Sequence, residues 1–477
     1  MGIIQKIPWL GKKLSANYEA LRPKSGKRPP KSNKHASELA RVSQLPLAQQ
    51  ARYFEENYPI VATALDELGK CVIGADGLIV QPQPKRRDGT VDNELAKQIQ
   101  RAYENAGPTW CMDGRTSRAD SELLLLRATV RDGEAFSRVY EHGDHPYLGR
   151  VPFGIEPFEC DHIPADLSDS KKNIVNGVQL GAYNRTEGYY FVPDLSAFSQ
   201  KPLFIEVNQI LHPKHSTRIG ALRGISKLAP ALLTIHNLKE YEDAVRLGRL
   251  VAARIVLIHK KNKQKHVDEQ GEDDDYDEPL TFDHGNVIEA NKDDDFDTLE
   301  SGKGSESSDI HIQHQQRSIT GAAGVNNSAV TGIYNKSYSA QRQEMIDRWA
   351  GYIMLRALMI RHHVRPAYER WLSAAIISGV IVPPRDLDWE TLYDVTFTGP
   401  VMPWIDPYKE AMSIKMLNEI GMLPLTKALA ERGLNVSSIL EMYKTEKDEI
   451  EALELTDFLG VITETLTNQK GNDDAKE

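Results

Sequence analysis

A mixed α+β protein is predicted, on three observations. Residues 148–210 are rich in aromatic and β-branched residues cut by Gly and Pro, the composition of short strands joined by turns. Three stretches, 45–68, 228–258 and 339–378, carry apolar residues at helical spacing. Between the last two lies a charge-dense excursion, followed by a short helical pattern and a glycine-rich loop.

Taken in order, residues 1–44 read as a basic arm. Arg22-Pro-Lys-Ser-Gly-Lys-Arg-Pro-Pro-Lys31 suits a solvated tail, or an arm that clamps a neighbouring subunit or nucleic acid. Leu45 to Leu68 is helical in spacing, and Gly69 to Val80 reads as a turn with short strands. Residues 92–106 and 117–128 are helical, and Arg131-Asp-Gly-Glu134 turns into a strand over Ala135–Tyr140. Further strands are expected at Phe158–Cys160, Asn173–Leu180, Gly188–Val192 and Phe204–Val207.

A helix is predicted from about Leu228 to Ile258, with Pro230 in its first turn and Arg246, Arg249 and Arg254 at its negative pole. At 1.5 Å per residue it is about 45 Å long, more than one small core covers, so packing against other copies is expected. The excursion follows: basic over His259–His266, acidic over Asp268–Glu278, strand-like at Leu280–Phe282 and Asn286–Ala290, acidic again over Asp293–Asp297. The acid runs have the composition of solvated loop, and without a defined Gly turn and closing Glu they do not match a calcium loop. Ser307 or Ser308 is placed to cap a short helix, Asp309–Ala322. Gly321, Gly324, Asn326, Asn327 and Gly332 then predict a flexible polar loop through Asn335.

The strongest helical pattern runs from Ser339 to near Ser378, with Met345, Trp349, Tyr352, Leu355, Met359, Tyr368, Trp371 and Ala375 at core positions. Pro366 is expected to kink it. Arg342, Arg348, Arg356, Arg361, Arg365 and Arg370 read either as a wet basic face or as partners for an adjacent subunit's acids. Residues 379–405 are irregular, with a strand near Val395–Phe397. Helices are expected at Lys409–Ile420, at Leu425–Arg432 stopped by Gly433, and from Ser437 to about Leu455.

Composition narrows the function classes. The chain has 477 residues, enough for two to four packed units, with 40% hydrophobic and 26% charged residues, as in soluble proteins. No run approaches the ~20 apolar residues that span a bilayer, and the first residues lack a signal-peptide core, so a cytoplasmic, non-membrane protein is expected. Three cysteines without close pairing suggest neither a disulfide framework nor a CxxC metal site. Net charge is −10, yet residues 1–35 hold nine Lys/Arg against one Glu, and residues 268–310 hold seventeen Asp/Glu against two Lys. A static DNA binder is normally basic overall, which argues against that class.

Motifs for chemistry are missing. There is no GxxxxGK[ST] phosphate loop, no GxGxxG after a strand, no HExxH and no GxSxG. Cys160 and His162 would share one face of a strand, but no third group is in place to orient them for hydrolysis. His311 and His314 are spaced to share a metal, although such pairs are far more often hydrogen-bonded or solvent-facing. No catalytic residue, metal site or cofactor is expected. A structural or assembly role is.

Several motifs, in order and spacing, resemble the lambda-type portal proteins of tailed bacteriophages. They are Val72-Ile-Gly-Ala-Asp-Gly-Leu-Ile-Val-Gln81, Trp110 with Asp113, Arg131-Asp-Gly-Glu-Ala-Phe136, Ile210-Leu-His212 with Arg218, and Arg223-Gly-Ile-Ser226. Tyr241 and Ala244, Ile319–Val325, Tyr338-Ser-Ala-Gln-Arg342, Val364–Leu372 and Trp404–Ala411 continue the series, so the likeness spans about residues 60–440. The chain departs from the family at Tyr338, where a serine is usual, over Asn184–Tyr190, and in its acid-rich insertion.

The resemblance implies a portal fold assembled as a ring, generally of about twelve subunits. After the arm come a wing (45–225), a first stem helix (226–256), a clip with the acidic insertion (257–306), a second stem helix (307–323) and a channel loop (324–337). The wing's long kinked helix and following strands (338–407) and crown helices (408–477) complete it. It implies a conduit for double-stranded DNA at one capsid vertex, assembled in the host cytoplasm and nucleating the procapsid with major capsid and scaffolding proteins. The clip would dock the terminase large subunit and then a head–tail adaptor. Asn326, Asn327, Tyr334, Asn335 and Lys336 are the channel-loop residues expected to meet DNA. Asp268, Glu269, Glu272, Asp273, Asp274, Asp275, Asp277 and Glu278 are expected to form an acidic collar: facing the bore it repels phosphate, facing outward it recruits a basic partner. The alternative is a structural or adaptor protein of another kind in the head–tail connector.

Overall fold

The computed structural model describes residues 34–141, 148–195, 201–253, 257–260, 295–298, 305–334, 337–403, 407–424, 428–429 and 436–452. The chain divides into two compact units: Leu233–Ile319 forms one, and the segments before and after it form the other.

The larger unit opens with α1 (Ala36–Asn57) and α2 (Pro59–Val72), broken at Tyr58 because Pro59 starts a helix but cannot continue one. α1 starts inside the expected arm. Residues 36–44 are folded, with Leu39 and Ala40 buried, because apolar spacing there overrides the polar composition. Positive φ at Gly74 and Gly77 turns the chain into β1 (Ile79–Pro82). Next come α3 (Asn93–Ala106), whose first turn is capped by the Asp92 carboxylate at 3.1 Å from Leu95 N, and α4 (Arg118–Arg131), capped by Ser117 at 3.2 Å from Asp120 N.

Two antiparallel sheets follow. β2 (Phe136–Glu141) is the centre of a three-stranded sheet between β3 (Phe153–Phe158) and β8 (Ile210–Leu211). β4 (Ile174–Val175), β5 (Val178–Leu180), β6 (Thr186–Phe191) and β7 (Leu203–Glu206) form a meander. The strand expected to reach Cys160 stops at Phe158, and Cys160–His162 is a 3₁₀ turn.

Past the second unit the chain resumes with α8 (Tyr338–Met359), a π-helical turn (Ile360–Val364) and α9 (Arg365–Ile377). The irregularity falls just before Pro366, whose missing N–H and ring cannot fit a straight α-helix. Tyr352, Leu355, Met359, Tyr368, Trp371 and Ala375 are buried as expected. β11 (Val395–Thr398) then pairs with β1, Ile79 opposite Thr398, joining early chain to late chain. Tyr103 packs edge-on against Trp110, Tyr368 and Trp371 at centroid distances of 5.0–5.5 Å, which ties α3 and α9 into one core. Two helices, α10 (Pro407–Glu419) and α11 (Val436–Ala452), follow. Of the helix expected at 425–432 only 428–429 are described, and they are helical.

The second unit is a helical hairpin. α5 (Leu232–Ala253) starts after Pro230 rather than around it, leads to β9 (Leu257–Lys260), and returns through β10 (Asp295–Thr298) and α6 (Ser305–Ala323). β9 and β10 are antiparallel, Lys260 opposite Asp295. α5 and α6 meet where Arg249 pairs with Asp309 at 3.2 Å and the Tyr241 ring meets His311 at 4.8 Å. Part of the expected acid loop, Asp295–Asp297, is therefore strand. Backbone pairing to β9 decides its conformation, and local charge does not.

Candidate functional site

Where a flexible loop was expected, residues 327–331 form a short helix, α7 (Asn327–Thr331). Asn326 is its N-cap, with Oδ1 accepting from Ser328 N at 3.0 Å, and Gly332, at φ 69°, ends it in the left-handed region. Glu344 on α8 completes the cap: Oε1 accepts from Asn327 N at 2.9 Å and Ser328 N at 3.4 Å, and Oε2 accepts from Ser328 Oγ at 3.0 Å. A carboxylate suits the positive end of a helix. Tyr352 Oη accepts from Asn326 N at 3.1 Å, and Thr320 Oγ1 donates to Asn327 Oδ1 at 3.1 Å.

Two of the expected channel-loop residues, Asn326 and Asn327, also have a part in the local structure. The Asn326 side chain caps α7 and the Asn327 side chain accepts from Thr320, so both help to hold the segment in shape. Tyr334 is exposed (62%), beyond the Gly332 cap. Asn335 and Lys336 lie outside the described residues, as do Asp268, Glu269, Glu272, Asp273, Asp274, Asp275, Asp277 and Glu278 and the strand-like pieces at 280–282 and 286–290. Sequence reasoning missed Glu344 and Tyr352. The Asn326-x-Ser328 start and Gly332 stop mark α7 itself, a helix too short to show periodicity, but not the residues of α8 that hold it.

Motif residues of the larger unit converge on a buried ion network. Glu134, fully buried, accepts from Arg223 Nε at 2.6 Å, Gly224 N at 2.7 Å, His212 Nε2 at 3.0 Å and the Gln44 amide. Arg223 Nη1 donates to the carbonyls of Ile163 and Asn176 at 2.9 and 2.8 Å, and Nη2 donates to Cys160 O at 3.2 Å. Burial alone would raise the Glu134 pKa, but the charge of Arg223 and the hydrogen bond from His212 outweigh it and hold it at about 2. Burial pushes His212 down to about 4, so it is neutral at pH 7: Nε2–H donates to Glu134, and Tyr189 Oη donates to Nδ1 at 3.1 Å. Gly133 and Gly224 let the two motif segments touch backbone to backbone, since a Cβ on either would overlap the other segment.

Cys160 and His162 are not a hydrolytic pair. Burial, with Asp132, Glu134 and Asp161 nearby, pushes the thiol pKa well up, against thiolate formation. His162 Nδ1 instead meets Val192 O at 2.7 Å. No group of three or more His, Cys, Asp or Glu side chains, His311 and His314 included, is placed to hold a metal among the described residues. Among the described residues, no helix is long and apolar enough to cross a membrane.

Three of the six arginines named on the long kinked helix, Arg356, Arg365 and Arg370, bond within the chain. Arg356 donates to Cys71 O and Val72 O, both at 2.8 Å and both unpaired carbonyls at the end of α2, and to Pro400 O at 2.6 Å. Arg370 pairs with Glu141 at 3.2 Å, and Arg365 donates to Val395 O at 3.3 Å. For these three the structure adds intrachain partners to the two readings, a wet basic face or partners for an adjacent subunit's acids.

Comparison with known proteins gives three results. No curated protein matches in sequence. Among solved structures, a chain of the virion of a native gene transfer agent particle is 13% identical, covering 87% of this chain and 97% of that one, with a TM-score of 0.45. A chain from the neck of that native particle, computed with C12 symmetry, is 12% identical over 82% of this chain and 93% of that one, at a TM-score of 0.41. A model of phage portal proteins, lambda family, matches residues 22–356, well over half of the chain. The matched span takes in the Glu134–Arg223 network, the helical hairpin and Glu344, and on that match the chain belongs to the lambda family of phage portal proteins.

Proposed function

We propose that about twelve copies of this chain form the portal ring at one capsid vertex, a passive conduit through which double-stranded DNA is packaged and later ejected. The observation that carries the reading is the helical hairpin α5–β9–β10–α6 in a chain of the portal family: two stem helices with a clip at their tip. α7 and the residues after it are the channel segment. The clip docks the terminase large subunit during packaging and a head–tail adaptor afterwards. Wing and stem meet the major capsid and scaffolding proteins, in the host cytoplasm first and in the virion finally.

Two features support the ring. On α10, Tyr408 (74%) and Met416 (60%) are exposed, with Met412 between them and Ile420 beyond, at four-residue spacing on one helical face. On α8, Ile346, Ile353 and Met354 are also exposed. Apolar stripes of this kind are stable when another copy covers them. The acid-rich insertion suits either role of a conduit: facing the bore it repels phosphate and keeps contacts with DNA brief, where a basic wall would hold it through counterion release, and facing outward it recruits a basic partner.

Particle mass and symmetry test this directly. Purified protein should assemble into annular particles of about twelve times 53.6 kDa with a central hole wide enough for a duplex. A species that stays monomeric at high concentration, with no rings by electron microscopy, refutes it.

A further inference from the structure

We propose that Glu344 is a two-position latch for the channel segment: in this structure its carboxylate seats the N-terminus of α7, and Arg348, one turn along α8, is the seat it takes when α7 is released. The proposal rests on reading α7 as part of the channel.

The first position is visible. Two backbone N–H groups and the Ser328 hydroxyl converge on one carboxylate, and Tyr352 Oη secures the preceding residue at Asn326 N. α7 is only five residues long, too short to be stable on its own, so its helical state depends on what holds its ends. The C-terminal end closes locally on Gly332. The N-terminal end depends on the next helix.

The second position follows from an unmet charge. Arg348 is half-buried and makes no ion pair among the described residues, although Glu344 stands four residues before it, the favourable order for such a pair on a helix. Lys227 lies against Gly324, where a Cβ would come within 2.7 Å of its ammonium, and burial and the charge of Arg348 both lower its pKa. Arg348 is therefore near enough to Lys227 for the two cations to repel each other. If α7 loses its hold, Glu344 swings to Arg348 and the charge is met. Each state satisfies the carboxylate, so α7 can exchange between seated and free states without leaving a charge stranded.

Hydrogen exchange on the assembled protein tests the latch without reference to DNA. In Glu344→Ala, amides of residues 327–332 should exchange about tenfold faster or more, the loss expected for hydrogen bonds to a charged group, while those of Tyr352–Met359 keep their protection. Arg348→Ala removes the second seat and should slow exchange at α7. Glu344→Gln, which keeps the shape and one acceptor, should fall between wild type and Glu344→Ala. Unchanged exchange at α7 in Glu344→Ala, or an Arg348→Ala variant as loose as Glu344→Ala, overturns the latch. If Glu344→Ala loosens all of α8, the Arg348→Ala and Glu344→Gln arms decide alone. Should α7 loosen as expected while packaging by assembled particles is unaffected, the latch stands and the channel assignment of α7 fails.

Discussion

Arg223→Met should bring the larger unit close to unfolding at pH 7. Its guanidinium is fully buried and is the main charge that keeps Glu134 ionised inside the protein. Removing one partner of a buried pair costs about 3–5 kcal/mol. The carbonyls of Cys160, Ile163 and Asn176 also lose donors, at about 1 kcal/mol each before water relieves them. About 5 kcal/mol or more is a large part of a typical domain's stability. Guanidinium unfolding followed by tryptophan fluorescence measures it, and two controls identify the cause. Adding Glu134→Gln to Arg223→Met removes the stranded charge, so the double variant should recover about 2 kcal/mol relative to the single one. The deficit should also shrink as pH falls from 7 toward 4. Wild-type Glu134 stays ionised down to about 2, whereas without Arg223 the buried site takes a proton at higher pH. A cost of Arg223→Met below about 1 kcal/mol, or a double variant less stable than the single one, refutes the account.

His212 adds an opposite handle on pH. Its folded pKa of about 4 lies below the ordinary 6.5, so only the unfolded chain takes up a proton as pH drops through that interval. Stability should fall by about 3 kcal/mol from this group between pH 6.5 and 4, and His212→Gln should flatten that part of the stability–pH curve. Gly133→Ala should cost more than about 3 kcal/mol and yield little folded protein, because φ there is 97° and a Cβ would strike the Ile225 backbone. Expression and melting temperature against wild type measure it.

Elements with caps or long apolar faces were legible in the sequence. Asp92 and Ser117 start α3 and α4 within a residue of where their side chains suggest, and the core face of α8–α9 follows its spacing. Elements decided by distant partners were not. β10 lies in an acid run and is strand only because β9 lies opposite. Arg356 has the spacing of a surface cation, yet its role comes from the carbonyls of residues 71, 72 and 400. The motif residues Glu134, His212 and Arg223 stood out individually, but that they form one buried network depends on tertiary folding. Glu344 carried no signal at all, since a carboxylate on a helix is ordinary until the group it accepts from is known.

The β9–β10 ladder carries one further consequence. Lys260 and Asp295 face each other, so the 34 residues between them leave and rejoin the protein at a single point. Lengthening such an excursion costs little, roughly 0.6 kcal/mol per doubling of loop length. The strand pair thus sets where this segment begins and ends, and its length is something the fold tolerates rather than dictates.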